Sequence, residues 1–305
     1  MTCSIKRNNY RFIFFLVSIL LIVFSVPVYA QGNRGGSPQK HFFWSVHSGK
    51  NTVYLLGSIH ILKKDAYPLP ETIEKAYGCC SKIVFETDLD GMQDPASQNK
   101  MTKLGLYPAG QTLPKNISAQ TQELLKEKAA AANVPLERLE QFKPWFVAVA
   151  ITALEIQRLG FDPELGVDRY FFNRAKKDGK EMVFLETNEQ QLTLMADMNR
   201  YQQEMFLKET LKELEIIGTM ASDMVKAWET GDSDKLHFIT KTGFDKYPDI
   251  YYRFFIQRNK NWIPQIEKLL KLDGDVLVIV GAGHLAGEQS LIELLVEKGY
   301  QVEQR

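Results

Sequence analysis

Apolar residues follow two rhythms along this chain. Short, mostly apolar runs occur at residues 42–46, 52–56, 82–85, 181–185 and 276–280, rich in Val, Ile, Leu and Phe. Runs of this length and composition predict strands buried on both faces. The turn His47-Ser48-Gly49-Lys50-Asn51 joins the first two as a hairpin. A loop holding Tyr67-Pro68-Leu69-Pro70 leads to a short helix over 71–77, and the polar residues 91–100 read as a mobile loop. Elsewhere the spacing is helical. Ser118 caps a helix to about 132, and Pro144 opens another that Gly160 ends, its Trp145, Phe146, Val149, Ile156 and Leu159 recurring at helical intervals. Residues 163–177 form a third helix, and 188–230 hold two or more before Gly231-Asp232. Further helices cover 249–259, a segment starting at Pro264, and 288–298, with a closing strand at 300–303. The pattern predicts an α/β or α+β fold: a mixed central β-sheet built from N- and C-terminal strands, with a large helical cap inserted over roughly residues 101–270.

Two strand ends repeat each other. Val53-Tyr54-Leu55-Leu56 breaks into Gly57-Ser58-Ile59-His60, and Val276–Val280 breaks into Gly281-Ala282-Gly283-His284. A glycine at the end of a buried strand permits a sharp turn. The histidine three residues on then lies at the strand's C-terminal end, where open α/β sheets bind ligands. Taken singly, such a histidine is more often a partner of loop backbone; the matched pair points to one site built from both. A second echo ends the strands at 82–85 and 181–185 in Glu86-Thr87 and Glu186-Thr187.

Composition narrows the classes. Lys6, Arg7 and Arg11 precede a charge-free apolar stretch from Phe12 to Val26, and Val28-Tyr29-Ala30 supplies small residues for cleavage before Gln31. Residues 1–30 therefore read as a secretory signal peptide and 31–40 as a polar linker, placing the protein in the periplasm or outside the cell. The rival reading is an uncleaved anchor, the one case in which a membrane is a partner. What remains, residues 41–305, reads as a single domain carrying the cap. Without its three leader bases the chain has a net charge of about −3, which argues against nucleic acid. Cys79 and Cys80 are adjacent and make neither a disulfide framework nor a zinc pattern. Gly281-Ala282-Gly283 followed by Gly287 imitates a dinucleotide-binding turn, but its third glycine falls one position late. No H-E-x-x-H is present.

Gly57-Ser58-Ile59-His60, Glu86, the segment Gly166-Val167-Asp168-Arg169-Tyr170-Phe171, Leu185-Glu186-Thr187 with Gln190, Arg258-Asn259 and Gly281-Ala282-Gly283-His284 together resemble the TraB/GumN family. That family includes the Tiki Wnt-inactivating metalloproteases and plasmid pheromone-shutdown proteins. It is more distantly similar to erythromycin esterase (EreA) and haem-binding ChaN-like proteins, which share a sheet with a helical cap. The resemblance implies a metallopeptidase-like hydrolase using a divalent metal (manganese, cobalt or zinc) on a peptide or small-molecule substrate. By motif, His60, Glu86 and His284 are its metal ligands.

Two imidazoles and a carboxylate form a reasonable ligand set that leaves room for water. In that scheme Glu186 is the general base, Arg258 stabilises an oxyanion or holds a substrate carboxylate, and Asp168 orients a ligand histidine. Plainer roles stand beside these: Glu186 as a helix cap, Asp168 and Arg258 as a structural salt bridge. His41, His47 and His237 read as surface or turn residues. Trp145, Phe146, Phe171, Phe172, Phe254 and Phe255 read as packing between cap and sheet or as groove lining. Two other functions remain open, a metal-independent hydrolase of erythromycin esterase type and a non-catalytic peptide- or haem-binding protein.

Overall fold

A computed structural model describes residues 40–305; the expected signal peptide and nearly all of the linker lie outside the described residues. Six strands form one mixed sheet: β1 (Phe43–His47), β2 (Thr52–Ser58), β3 (Lys82–Phe85), β4 (Glu181–Phe184), β5 (Val276–Gly281) and β6 (Val302–Gln304). Their order across the sheet is β4-β3-β5-β2-β1-β6. The hairpin partner β1 runs antiparallel to β2 and to β6, whereas β2, β5, β3 and β4 are mutually parallel. Central β5 is buried at every position, which is why its sequence is a continuous apolar run rather than an alternation. The two echoes are neighbours in space: the Gly-x-x-His strands β2 and β5 pair with Ser58 opposite Gly281, and the Glu-Thr strands β3 and β4 pair with Phe85 opposite Phe184.

The helices are α1 (Glu71–Cys79), α2 (Leu89–Gln93), α3 (Pro95–Gly105), α4 (Leu113–Asn116), α5 (Ala119–Ala131), α6 (Pro144–Arg158), α7 (Val167–Asp178), α8 (Asn188–Ala196), α9 (Arg200–Glu213), α10 (Ile217–Glu229), α11 (Ser233–Thr242), α12 (Pro248–Tyr251), α13 (Gln257–Leu269) and α14 (Leu291–Glu297). One π-helical stretch, Tyr252–Ile256, joins α12 to α13. Chain contacts divide the molecule into two compact units. One is helical, comprising Asp88–Pro163 and Glu186–Gly218; within it α9 packs on α6 and α5. The other carries the whole sheet with Glu164–Leu185 and Thr219–Arg305. Among the described residues no helix is long and apolar enough to cross a membrane.

Three elements depart from the sequence reading. Residues 91–100 are largely helical, because Asp94 caps α3 through the Ala96 and Ser97 amides and Pro95 occupies its first turn. Gly231-Asp232 both ends and begins a helix: Gly231 takes a left-handed φ of 66° after α10, and Asp232 accepts from the Lys235 amide to start α11. Pro264 lies inside α13 instead of opening a helix. It removes one intrahelical hydrogen bond, yet burial of Trp262, Ile263 and Ile266 carries the helix through.

Candidate functional site

Parallel pairing brings the C-terminal ends of β2, β5 and β3 to the same edge of the sheet. With β5 between the other two, Gly281 lies between the residue that ends β2, Ser58, and the residue that follows β3, Glu86. The chain leaves β2 through Ile59 to His60, and leaves β5 in a tight 3-10 turn, Ala282–His284. The Gly281 amide donates to Glu86 Oε1 at 2.6 Å. A Cβ at Gly281 would stand 3.0 Å from His60 Nε2, 3.2 Å from Glu86 Oε1 and 3.6 Å from His284 Cδ2. The backbone there has φ −51°, open to any residue. Space, not conformation, calls for glycine. Its bare Cα faces a notch on which two imidazoles and a carboxylate converge.

Each histidine is held from behind. His60 Nδ1 meets Asp168 Oδ2 at 2.8 Å, and Asp168 Oδ1 accepts from Ser58 Oγ at 3.0 Å. The Ser58 oxygen in turn accepts from the Asp168 amide at 3.1 Å. With the carboxylate ionised, the proton on this side of the ring belongs to Nδ1, so Nε2 is the atom that faces the notch and gains or loses a proton. Ser58 contacts the aspartate and not the free face of the imidazole, so the trio is not a serine nucleophile with its base. His284 Nδ1 lies 2.6 Å from Asn259 Oδ1, an acceptor that fixes the same tautomer. Its ring is flanked by Phe255 at 5.1 Å and Trp262 at 4.5 Å between centroids. His284 Nε2 accepts from Arg258 Nη1 at 3.0 Å. The other arm of that guanidinium forms an ion pair with Glu86 Oε2.

The charges follow from these contacts. Burial alone would raise the Glu86 carboxyl, but Arg258, His284 and His60 around it and the Gly281 amide bring it down to about 2. Burial and the Arg258 charge push His284 down to about 3, keeping it neutral and able to accept. His60 goes the other way: burial lowers it, yet the Asp168 charge and hydrogen bond outweigh that and raise it. Asp168 is correspondingly lowered against its own burial, through His60 and Ser58. Adjacent imidazoles thus hold opposite tendencies, one toward a proton and one away from it.

Of the residues singled out in the sequence, His60, Glu86, Asp168, Arg258 and His284 come together. Asp168 pairs with His60 and Arg258 with Glu86, in place of the Asp168–Arg258 salt bridge that the sequence left open. Glu186 begins the turn after β4, where it accepts from Gln191 Nε2 at 2.8 Å. The cap of α8 is Thr187, in a reciprocal capping box with Gln190. His47 is an exposed strand-end residue bonded to Thr52 and Arg305, and His237 is half-buried beside Gly287. Phe172 packs on Phe85 and Phe255 on His284. Sequence reasoning missed the roles of Ser58, Asn259, Trp262 and Trp228. The last donates its indole N–H to Gly57 O at 2.5 Å, pinning the start of the first Gly-x-x-His turn. Only Ser58 and Asn259 carried a signal, standing inside segments already marked.

In donor type and tautomer, His60 Nε2, Glu86 and His284 Nε2 suit a divalent cation. As they are placed, no three such side chains among the described residues stand close enough to enclose one. The Arg258 guanidinium engages two of the three.

The geometry defines an α/β protein whose centre, at the carboxyl edge of a mixed sheet, consists of two oriented histidines, a glutamate and an arginine. The TraB/PrgY/gumN family profile matches residues 42–304, and the chain belongs to that family. The uncharacterized protein YbaP of Escherichia coli (strain K12) is 23% identical over 259 residues, covering 84% of this chain and 93% of its own. The metalloprotease TIKI2 of Danio rerio is 22% identical over 315 residues, with 86% of this chain and 60% of its own covered. A metalloprotease TIKI homolog of Nematostella vectensis is 24% identical over 326 residues, covering 88% and 68%. No solved structure gives a significant match.

Proposed function

We propose that the protein is a hydrolase of peptidase type, acting in the periplasm or outside the cell, with a divalent cation held by His60, Glu86 and His284. One observation carries the reading. Two imidazole nitrogens with fixed tautomers and one ionised carboxylate converge on the bare Cα of Gly281. The distant TIKI metalloproteases support it. An ion at these ligands supplies Lewis acidity toward a peptide carbonyl and the attacking water. Asp168 and Asn259 keep His60 Nε2 and His284 Nε2 facing the notch, so neither ring has to change tautomer on binding. Arg258 provides positive charge beside the carboxylate for an oxyanion or a substrate carboxylate. Glu186 is the proposed proton acceptor, from its place in the Leu185-Glu186-Thr187 motif. The test is cleavage of a quenched peptide library by the purified protein with manganese, cobalt or zinc, and with chelator. Cleavage that chelation abolishes, lost in His60→Ala and His284→Ala variants of unchanged circular dichroism, is the expected result. Metal-dependent cleavage that survives both substitutions overturns the proposal.

A second reading draws on Arg258 itself. Its guanidinium already supplies a cation to Glu86 and His284, which would let a hydrolase of erythromycin esterase type work there without a metal. There His60 Nε2, backed by Asp168, takes the proton from water. Activity that resists chelation selects this alternative.

A further inference from the structure

The geometry points to Arg258 as a built-in competitor for the metal: guanidinium and divalent cation are alternative occupants of the face formed by Glu86 and His284. The inference rests on the metal-dependent reading above and adds a control to it. His284 Nε2 has one lone pair, and Arg258 Nη1 takes it at 3.0 Å. Glu86 divides its oxygens, Oε1 to the Gly281 amide and Oε2 to the other arm of the same guanidinium. An ion that uses both ligands must therefore move Arg258.

His60 Nε2 has no hydrogen-bond partner among the described residues, although its side chain is only 6% exposed. One ligand thus stands ready while two are engaged. That nitrogen is the ligand an ion could engage without first displacing the guanidinium.

The arginine also has somewhere to rest. Arg258 Nη1 donates to Phe254 O at 3.1 Å, and its Cζ lies 4.6 Å from the Trp262 ring centroid. Neither contact involves Glu86 or His284. The carbonyl belongs to the π-helical stretch Tyr252–Ile256, and such interruptions of a helix gather at functional sites. When the ion arrives, the guanidinium withdraws onto these partners. Before it arrives, the arginine neutralises the buried Glu86 charge, which would be costly if left alone. Apo and loaded forms each hold a compensated carboxylate, so the exchange is of one cation for another.

Isothermal titration of full-length metal-free protein with manganese alone tests this. Arg258→Met removes the competitor and keeps the length of the side chain. Arg258→Lys keeps charge, so the fold is protected, but a single ammonium cannot bridge both ligands with a planar fork. The expected result is tighter binding in both variants, by about 10- to 100-fold for Met, the scale on which groups around metal ligands act, and less for Lys. If Arg258→Met does not fold, as read by circular dichroism, the lysine variant decides. Affinity equal to or weaker than wild type overturns the competition while leaving the metal reading intact. Absence of binding in wild type and variants alike, with wild-type peptide cleavage resistant to chelator, overturns both.

Discussion

Gly281 is where a single hydrogen atom has the largest consequence. Adding a methyl group there meets His60 Nε2 at 3.0 Å and Glu86 Oε1 at 3.2 Å, with an unstrained backbone. Gly281→Ala is expected to lower manganese affinity about 10- to 100-fold, while stability falls by no more than about 1–3 kcal/mol. Calorimetric titration and thermal unfolding measure the two separately. Gly57→Ala, in the sister motif, has a different target: its Cβ meets Phe42 Cδ1 at 2.4 Å and the backbone of Ala282. Unfolding should respond more strongly there than binding. Equal effects of the two substitutions on affinity would remove the notch from the argument. Asp168→Asn keeps the size of the side chain and removes the charge behind His60, and a loss of about 10- to 100-fold in affinity is expected, with the folded spectrum retained. At this scale the sequence marked the groups that face the notch, because His60, Glu86 and His284 follow apolar runs where buried strands must end. It left the pairing behind them open. Asp168 and Arg258 lie on helices far apart in sequence, and no periodicity says which of His60, Glu86 or each other they will meet.

Elements explain why two short motifs can act as one. A parallel pair of strands ends at a common edge, so His60 and His284 owe their convergence to the register that places Ser58 opposite Gly281. The hydrophobic runs reveal such strands; they do not reveal their order. That β5, late in the chain, lies between β2 and β3 depends on which crossovers pack, a tertiary matter. The helices were legible where caps or breakers stood alone, as at Ser118 before α5 and Gly179 after α7. They were illegible where one residue pair served two helices, as Gly231-Asp232 does, or where a polar surface concealed a cap, as at Asp94. Trp228 shows how a helix enters the argument from outside the motif. From α10 it donates to Gly57 O, on a strand near the opposite end of the chain. Trp228→Phe keeps the ring and leaves that carbonyl without its donor. The expected cost is about 1–3 kcal/mol in unfolding free energy, measured by denaturant titration. A Trp228→Phe protein as stable as wild type would show that the carbonyl finds another partner.

At the scale of the molecule, the three proposed ligands come from the ends of β2, β3 and β5, and only the folded sheet assembles them. The leader expected at residues 1–30 gives a separate check: amino-terminal sequencing of protein from the periplasm or medium should begin at Gln31, and an uncleaved Met1 would favour the anchor. The folded assembly supplies the stronger test. An unfolded chain offers His60, Glu86 and His284 at independent positions and binds an ion weakly, so ligation stabilises the native state by mass action. Free manganese at one hundred times its dissociation constant should add about 2.7 kcal/mol, a rise in unfolding temperature of about 5–10 °C for a chain of this size. His284→Ala should lose that rise. Its unliganded form should itself unfold at lower temperature, since Asn259 and Arg258 then lose a buried partner. Arg258→Met should likewise be less stable without metal but show a larger shift with manganese, because one side chain both neutralises Glu86 and opposes the ion. A shift of equal size in wild type and His284→Ala would mean that manganese binds elsewhere, and the centre at the sheet edge would then have to act through its histidines and arginine alone.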